Sequence, residues 1–391
     1  MSDEARVNAL VDELLASCPP ATTGTVEFLR KQFDLGLAWV HFDEGFGGLG
    51  LAPRLQGLIN GRIAEAGGPG AWSRNPIGIG MAAPTVHTWG SDDQKSRYLR
   101  PLFSGEEIWC QLFSEPGAGS DVASLATSAV RDGDEWVLNG QKVWTSLGHL
   151  ARYGVVVART NPNVPKHSGL SYFVIDMKAP GVEVRGLRQM TGDAEFNEIY
   201  FTDVRIPDSE RLGAVGDGWR VSLTTLMNER VSIGGSTADR GGPIDEALEL
   251  WVKAPEHLKD RSRRDALMKL YTESEVLRFT VRRASAGQAR GIPGPEGSVA
   301  KLISAEHNQR TYAFCMELLG ADATLYDTYV FDRNDRDRER NVRYSFLRSR
   351  ANSIEGGTSE IMRNILGERV LGLPGDIRVD KELPWTQVPR N

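Results

Sequence analysis

Apolar positions recur at helical spacing in the first and last parts of the chain and at β spacing in between. Val7, Leu10, Val11, Leu14 and Leu15 share one helical face, and Pro19-Pro20 stops that run. Val26 to Leu37 and Leu55 to Ala66 are two further expected helices, the latter ended by Gly67-Gly68-Pro69. A glycine-rich loop, Phe42 to Leu51, lies between them. Ala83 to Leu102 is helical, with Ser91 or Asp92 as an N-cap inside it. From residue 108 the period changes. Thr127–Arg131, Trp136–Leu138, Gly154–Ala158, Ser171–Asp176, Val182–Val184 and Ile199–Phe201 read as short strands, separated by Asp-Gly, Asn-Gly, Asn-Pro-Asn and Ala-Pro-Gly turns. Such spacing predicts a compact β-barrel or sandwich.

Beyond residue 215 the helical period returns. Gly218 to Arg230 opens it, and Leu267, Leu270, Tyr271, Ser274, Leu277 and Val281 keep one face of a long helix. Gly291 to Ser298 breaks that helix, Leu302 to Leu319 forms the next, and Ile361 to Leu371 the last. Asp332 to Arg340 alternates charge signs and reads as a solvated loop, and Pro374 onwards as a tail suited to packing on a neighbouring subunit. The pattern predicts an α+β chain in three parts: a helical domain over 1–107, a β domain over 108–215 and a helical bundle over 216–391.

Composition narrows the function classes. At 391 residues there is room for two or three domains, and 40% hydrophobic with 25% charged residues is ordinary for a globular protein. A net charge of −6 argues against nucleic acid as a bulk partner. Three separated cysteines, Cys18, Cys110 and Cys315, form neither a disulfide framework nor a metal pattern, and the six histidines show no metal motif. No apolar run has membrane-spanning length and no signal peptide is evident, so a cytoplasmic protein without membrane partners is expected.

The densest chemistry lies between Trp109 and Gly148. Ser114-Glu-Pro-Gly-Ala-Gly-Ser-Asp121 cannot form a regular helix or central strand, because Pro116 lacks a donor and Gly117 and Gly119 free the backbone. A loop of this kind can turn its N–H groups and the Ser114 and Ser120 hydroxyls inward, a nest for a planar electron-rich ring or a phosphate; an ordinary Gly-rich turn has the same composition. Asn139-Gly140 is a two-residue hairpin signal. The strand after it is expected to place Lys142, Trp144 and Ser146 on one face and Val143 and Thr145 on the other.

Ser-Glu-Pro-Gly-Ala-Gly-Ser-Asp followed by Asn-Gly-Gln-Lys-Val-Trp-Thr-Ser resembles the signature of the acyl-CoA dehydrogenases, flavoenzymes that desaturate acyl-CoA thioesters, and the resemblance extends over nearly the whole chain. It implies FAD as cofactor, an acyl-CoA substrate, an electron-transfer flavoprotein as electron acceptor, and a homo-oligomer (dimer or tetramer) or a heterotetramer with a paralogue. The reaction implied is α,β-dehydrogenation: a base takes the α-proton while the β-hydrogen leaves as hydride to the flavin. The flavin contacts implied are Gln111, Phe113, Ser114, Gly119, Ser120, Trp144, Thr145 and Ser146, with Thr358 and Glu360 near the phosphates. Ser120 and Gly357 would also reach the thioester. The family's Arg-x-Phe-Gly adenine motif is absent between Ala254 and Arg290, and Glu317-Leu-Leu-Gly-Ala321 carries Glu where the family has Gln.

Two glutamates compete as base. In one branch of the family the base precedes a Gly-Thr near the end of the chain; here Ser353-Ile-Glu-Gly-Gly-Thr358 puts Gly356 at that place and Glu355 one residue early. In another branch the base lies in Leu-x-x-Glu-Arg, matched by Leu226-Met-Asn-Glu229-Arg230. Glu229 is therefore preferred, with Arg230 ordering the base region. A carboxylate partly removed from water is pushed toward neutrality and becomes a better base. Two other readings stay open: a flavin oxidase or monooxygenase of the same fold, and a weakly catalytic partner subunit of a heteromeric enzyme.

Overall fold

The structure is a computed structural model and describes residues 2–235, 242–289, 296–326, 341–375, 377 and 379–389. The expected loop at Asp332–Arg340 and most of the expected break at Gly291–Ser298 lie outside these residues. The chain divides into two compact units. One comprises residues 1–187, 195–228 and 378–391, and the other 188–194 and 229–377.

The first unit opens with helices α1 (Asp3–Ser17), α2 (Thr25–Asp34), α3 (Leu55–Glu65), α4 (Ala83–Trp89) and α5 (Asp92–Ser104). The α1 stripe is buried as its spacing demands, through Val7, Val11 and Leu14. Ser91 is the N-cap of α5, and Gln94 closes a capping box with it. Eight strands follow: β1 (Trp109–Leu112), β2 (Ser128–Asp132), β3 (Glu135–Ser146), β4 (Tyr153–Arg159), β5 (Leu170–Asp176), β6 (Val182–Leu187), β7 (Phe196–Pro207) and β8 (Arg211–Leu212). They form one mixed sheet in the order β6-β7-β3-β2-β4-β5-β8, with β1 parallel to β4.

The sheet is buried on both faces, which explains the continuous apolar run of β4. Val155 and Val157 pack among the helices, while Val156 and Ala158 pack among the other strands. The sheet also curls, because β3 and β5 have two strands between them, yet the ring centroids of Trp136 on β3 and Phe173 on β5 are 5.5 Å apart. Helix α6 (Gly218–Gly235) leaves the sheet, and its residues through Asn228 belong to this unit.

Two expectations are corrected here. Asn139-Gly140 is not a hairpin turn but a bulge inside the long strand β3, where the register against β7 shifts. The turn lies earlier, between Asp132 and Glu135. Asn139 Nδ2 donates to Asp203 Oδ1 at 3.0 Å and Asp203 N–H donates to Asn139 Oδ1 at 2.9 Å, so the side chain replaces the interrupted ladder. Gly140 is required by close approach: a Cβ there would stand 2.7 Å from the Thr127 Cα. The second correction concerns the tail. Residues 379–389 pack on this chain's own β unit, where Trp385 N–H donates to Val164 O at 2.9 Å.

The second unit is helical. It contains α7 (Pro243–Lys253), α8 (Arg261–Ala289), α9 (Glu296–Leu319), α10 (Val342–Arg348) and α11 (Ser359–Ile365). Leu267, Leu270, Tyr312, Phe314, Cys315 and Leu318 centre its core. Helix α9 starts at Glu296, six residues before the expected Leu302, and Ala300 packs there with Leu277 and Val281.

Asn75, fully buried, ties the helices to the sheet. Its Nδ2 donates to Leu102 O (2.9 Å) and Glu107 O (3.1 Å), and its Oδ1 accepts from Trp109 N (3.0 Å) and Gly78 N (3.3 Å). Asn75→Ala strands these buried groups and is expected to remove about 3 kcal/mol of stability, read as a lowered denaturant midpoint.

Candidate functional site

The Gly-rich loop and the bulged strand are sewn to each other by a buried ion pair. Lys142 is fully buried and Glu115 is 8% exposed. Lys142 Nζ donates to Glu115 Oε1 at 2.8 Å and to Phe113 O at 3.0 Å. The other Glu115 bonds come from Ala126 N–H (2.6 Å) and Thr127 N–H (2.9 Å). Val143 N–H adds a bond to Ser114 O at 2.9 Å. Burial pushes the Glu115 carboxyl up, but Lys142 and these N–H groups hold it below the usual carboxylate range. Burial pushes the Lys142 ammonium down.

That seam fixes the rest of the loop. Glu115 and Ala118 exchange backbone hydrogen bonds across the turn, and Gly119 and Ser120 lie beyond it, exposed. Gln111 and Ser114 are half-buried, and Phe113 is buried with its ring edge-on to Tyr172, so only its backbone can face a ligand.

The expected face assignment of the strand is also corrected. The ladder of β3 shifts a second time between Lys142 and Thr145, and Trp144 sits at φ 61°, a strained value for a non-glycine residue. Period two is lost: Lys142 points inward, while Trp144 is 58% exposed beside Phe196, edge-on at 5.9 Å between centroids. Ser146, half-buried, ends the strand. Thr145 is buried, and its hydroxyl has no hydrogen-bond partner among the described residues.

The second unit carries another group. Gly356 and Gly357 both have positive φ, at 64° and 95°, and form the turn into α11. Thr358 caps that helix by accepting from Ile361 N–H at 3.2 Å, and Glu360, exposed, lies in its first turn. Its own backbone N–H, at the helix start, holds the Glu360 carboxyl below the usual range. The Ser359 hydroxyl is buried without a partner among the described residues. Lys301, 3% exposed on α9, donates to Asn352 O (2.9 Å) and Gly357 O (2.5 Å) and pins the turn.

The two candidate bases differ in their surroundings. Arg348 grips Glu355 with both arms, at 3.1 and 2.8 Å, and Asn352 Nδ2 donates to the same carboxylate at 2.8 Å. Glu229 is half-buried on α6, in the electrostatic field of Lys301. Arg230 continues that helix, and its side chain lies outside the described residues. The expected residues thus form two clusters, one in each unit. Glu115, Lys142 as a buried partner, and Lys301 were not foreseen as site residues; the signal for the first two was their place in the Ser-Glu-Pro-Gly and Asn-Gly-Gln-Lys motifs.

This arrangement defines a class: a helical, β-sheet and helical chain whose Gly-rich loop and strained tryptophan strand can hold a flat, hydrogen-bonding ring. Known proteins carry the assignment further. A model of the acyl-CoA dehydrogenase N-terminal domain matches residues 8–106, the middle-domain model 110–204 and the C-terminal-domain model 216–371. Acyl-CoA dehydrogenase FadE34 of Mycobacterium tuberculosis is 40% identical over 342 residues, 87% of this chain but 45% of that protein. The chain therefore spans about half the length of that relative. Acyl-CoA dehydrogenase IpdE1 of the same organism is 37% identical, covering 88% of this chain and 86% of that one. The solved ChsE4-ChsE5 complex from Mycobacterium tuberculosis is similar with a TM-score of 0.72 at 29% identity, covering 95% of this chain and 98% of that chain. The chain belongs to the acyl-CoA dehydrogenase family, a family of FAD-dependent oxidoreductases.

The residues present fit FAD. In the first unit the buried Thr145 hydroxyl, without a partner among the described residues, is a group that a polar ligand satisfies, and open space lies where Gly117 and Gly119 would carry a Cβ. Among the described residues, no group of His, Cys, Asp and Glu is placed to hold a metal ion, and no helix is long and apolar enough to cross a membrane.

Lys142→Met leaves Glu115 buried without its cation. The variant is expected to lose about 3–5 kcal/mol of unfolding free energy and to retain less flavin, with Glu115→Gln/Lys142→Met recovering part of the stability. Because the native Glu115 value is depressed, its contribution is complete above the unfolded value of about 4.3 and is lost as pH falls through the native value. Thermal melts against pH check both, and a Lys142→Met melt equal to wild type contradicts the pairing.

Proposed function

We propose that this protein oxidises an acyl-CoA thioester to the trans-2-enoyl-CoA, with Glu229 as the base, and passes the electrons to an electron-transfer flavoprotein. The observation that carries the choice of base is the clasp on Glu355. The Glu355 carboxylate is committed to a two-armed arginine and an amide, which supports a structural role at the turn, while Glu229 on α6, like Glu355, lies within the electrostatic reach of Lys301.

In this reading Glu229 accepts the α-proton at a carboxylate oxygen, and Arg230 orders the backbone around it. Ser120 and Gly357 orient the thioester so that its carbonyl is polarised and its α-carbon faces the base. Bound FAD supplies the acceptor for the β-hydrogen and the two electrons. Gln111, Phe113, Ser114, Gly119, Ser120, Thr145 and Ser146 would hold its ring side, Thr358 and Glu360 its phosphate side, and Trp144 would limit water at the ring. Glu355, gripped by Arg348, shapes the turn at Gly356-Gly357. Domain boundaries after residues 107 and 215 belong to the same proposal.

Assembly is part of the reading. The family resemblance supports a homo-oligomer, and the similar ChsE4-ChsE5 structure, a complex of two different chains, supports a heterotetramer with a paralogue as the second possibility. The cysteines Cys18, Cys110 and Cys315 are buried and free, which supports a cytoplasmic setting. Lipid catabolism is the proposed role.

The test is anaerobic flavin bleaching by straight, branched and ring-bearing acyl-CoAs. One class is expected to bleach wild type and Glu355→Gln, with Glu229→Gln slower by at least about 10³-fold. Bleaching by Glu229→Gln at the wild-type rate, with Glu355→Gln inert, reverses the assignment. No bleaching by any thioester, with or without a co-expressed paralogue, overturns the function.

A further inference from the structure

The loop that carries Ser120 continues through Asp121 to Thr127, and that continuation is held from outside the motif as well as by Glu115. Lys166 is 8% exposed and lies on the loop between β4 and β5. Its ammonium bonds Asp121 Oδ2 at 2.7 Å and Asp380 Oδ2 at 2.6 Å. Asp380 is 259 positions from Asp121, so a single buried cation joins the Gly-rich loop to the segment that follows the last helix.

A second latch lies beside the first. Arg159, 3% exposed, donates to Ala123 O (2.6 Å), Leu125 O (3.2 Å) and Lys166 O (3.0 Å). Trp385 covers that guanidinium, with the ring centroid 4.5 Å from the guanidinium carbon, and its Nε1 donates to Ser124 O at 3.1 Å. The backbone follows suit: Trp385 N–H donates to Val164 O and Thr386 N–H to Pro162 O, at 2.9 and 3.2 Å. The carbonyls of residues 123–125 thus accept from Arg159 and Trp385, because this stretch is neither strand nor regular helix. Ion pairs and a stacked ring of this kind hold a loop only while both sides are present.

We infer that residues 380–388 are a strap whose latches, Asp380 on Lys166 and Trp385 on Arg159, set the position of Ser120 and Asp121 at the mouth of the flavin and thioester site. Asp380 and Trp385 act through the loop and are positioning residues. The inference rests on the proposed placement of Ser120 in that site. Releasing the strap leaves Glu229 and the reacting groups unchanged and lowers the fraction of molecules with the loop in its competent place. Apparent affinity then falls by that fraction while the rate of the bound complex stays.

The experiment uses the full-length, FAD-loaded protein and three variants, Trp385→Ala, Trp385→Phe and Asp380→Asn, each checked for wild-type far-UV circular dichroism. The first readout is amide hydrogen exchange of residues 119–127; the second is the steady-state response to the acyl-CoA that best bleaches wild type. Trp385→Ala and Asp380→Asn are expected to speed exchange in that stretch by about tenfold and to raise KM by about tenfold with kcat within about twofold. Trp385→Phe keeps a ring over Arg159 but loses the Nε1 bond to Ser124 O, and is expected to fall between wild type and Trp385→Ala. Asp380→Asn, nearly isosteric, decides the matter if Trp385→Ala does not fold. Unchanged exchange at 119–127 in Asp380→Asn overturns the strap, as does a fall in kcat with KM unchanged. A wild-type protein that no thioester bleaches defeats the proposed function instead, and the exchange readout still decides whether the strap orders the loop.

Discussion

One buried contact organises the β unit around its proposed chemistry: the Lys142 ammonium against the Glu115 carboxylate, 2.8 Å apart and almost wholly removed from water. Neither charge is tolerable there without the other. Glu115 also collects the two backbone N–H groups just before β2, and Lys142 donates to the Phe113 carbonyl. The pair therefore joins three segments that no single element could hold in register. With its base clamped in this way, the loop leaves Gly117, Gly119, Ser120 and Asp121 exposed.

The strand opposite is shaped for the same end. A regular β3 would have pointed Lys142 and Trp144 the same way. The bulge after Lys142 lets the lysine go inward while the tryptophan goes out, at the expense of a left-handed φ at Trp144. Thr145 is then buried with a hydroxyl that nothing among the described residues satisfies. Strain and an orphaned donor side by side are poor choices for stability and reasonable ones for a ligand site. In the second unit Lys301 plays the part that Lys142 plays in the first, pinning a Gly-Gly turn from beneath through backbone carbonyls.

Local chemistry made much of this legible. The α1 stripe, the Ser91 cap and the continuous apolar runs of β4 and β5 follow from side-chain spacing alone. The two motifs around the Gly-rich loop also stand out, since their residue types serve few other purposes in that order. What failed was decided by distant partners. Asn-Gly suits a tight hairpin and a bulge equally, and the choice fell to Asp203, some sixty positions away, whose backbone and side chain pair with Asn139. The face of Trp144 depended on that same ladder. The clasp of Arg348 on Glu355 spans only seven residues, but it forms because the chain between them turns in short 3₁₀ steps that no periodicity announces. The strap at residues 380–388 has a composition that reads as a tail, and only its partners on the β unit give it a place.

The central chemical claim is that Glu229 removes the α-proton. Exchange of the thioester α-hydrogen with deuterium oxide isolates that step, because it needs the base and the polarised carbonyl but no net oxidation. Followed by proton NMR, exchange catalysed by the FAD-loaded protein is expected in wild type and in Glu355→Gln and is expected to vanish in Glu229→Gln. Exchange that persists in Glu229→Gln at the wild-type rate contradicts the account.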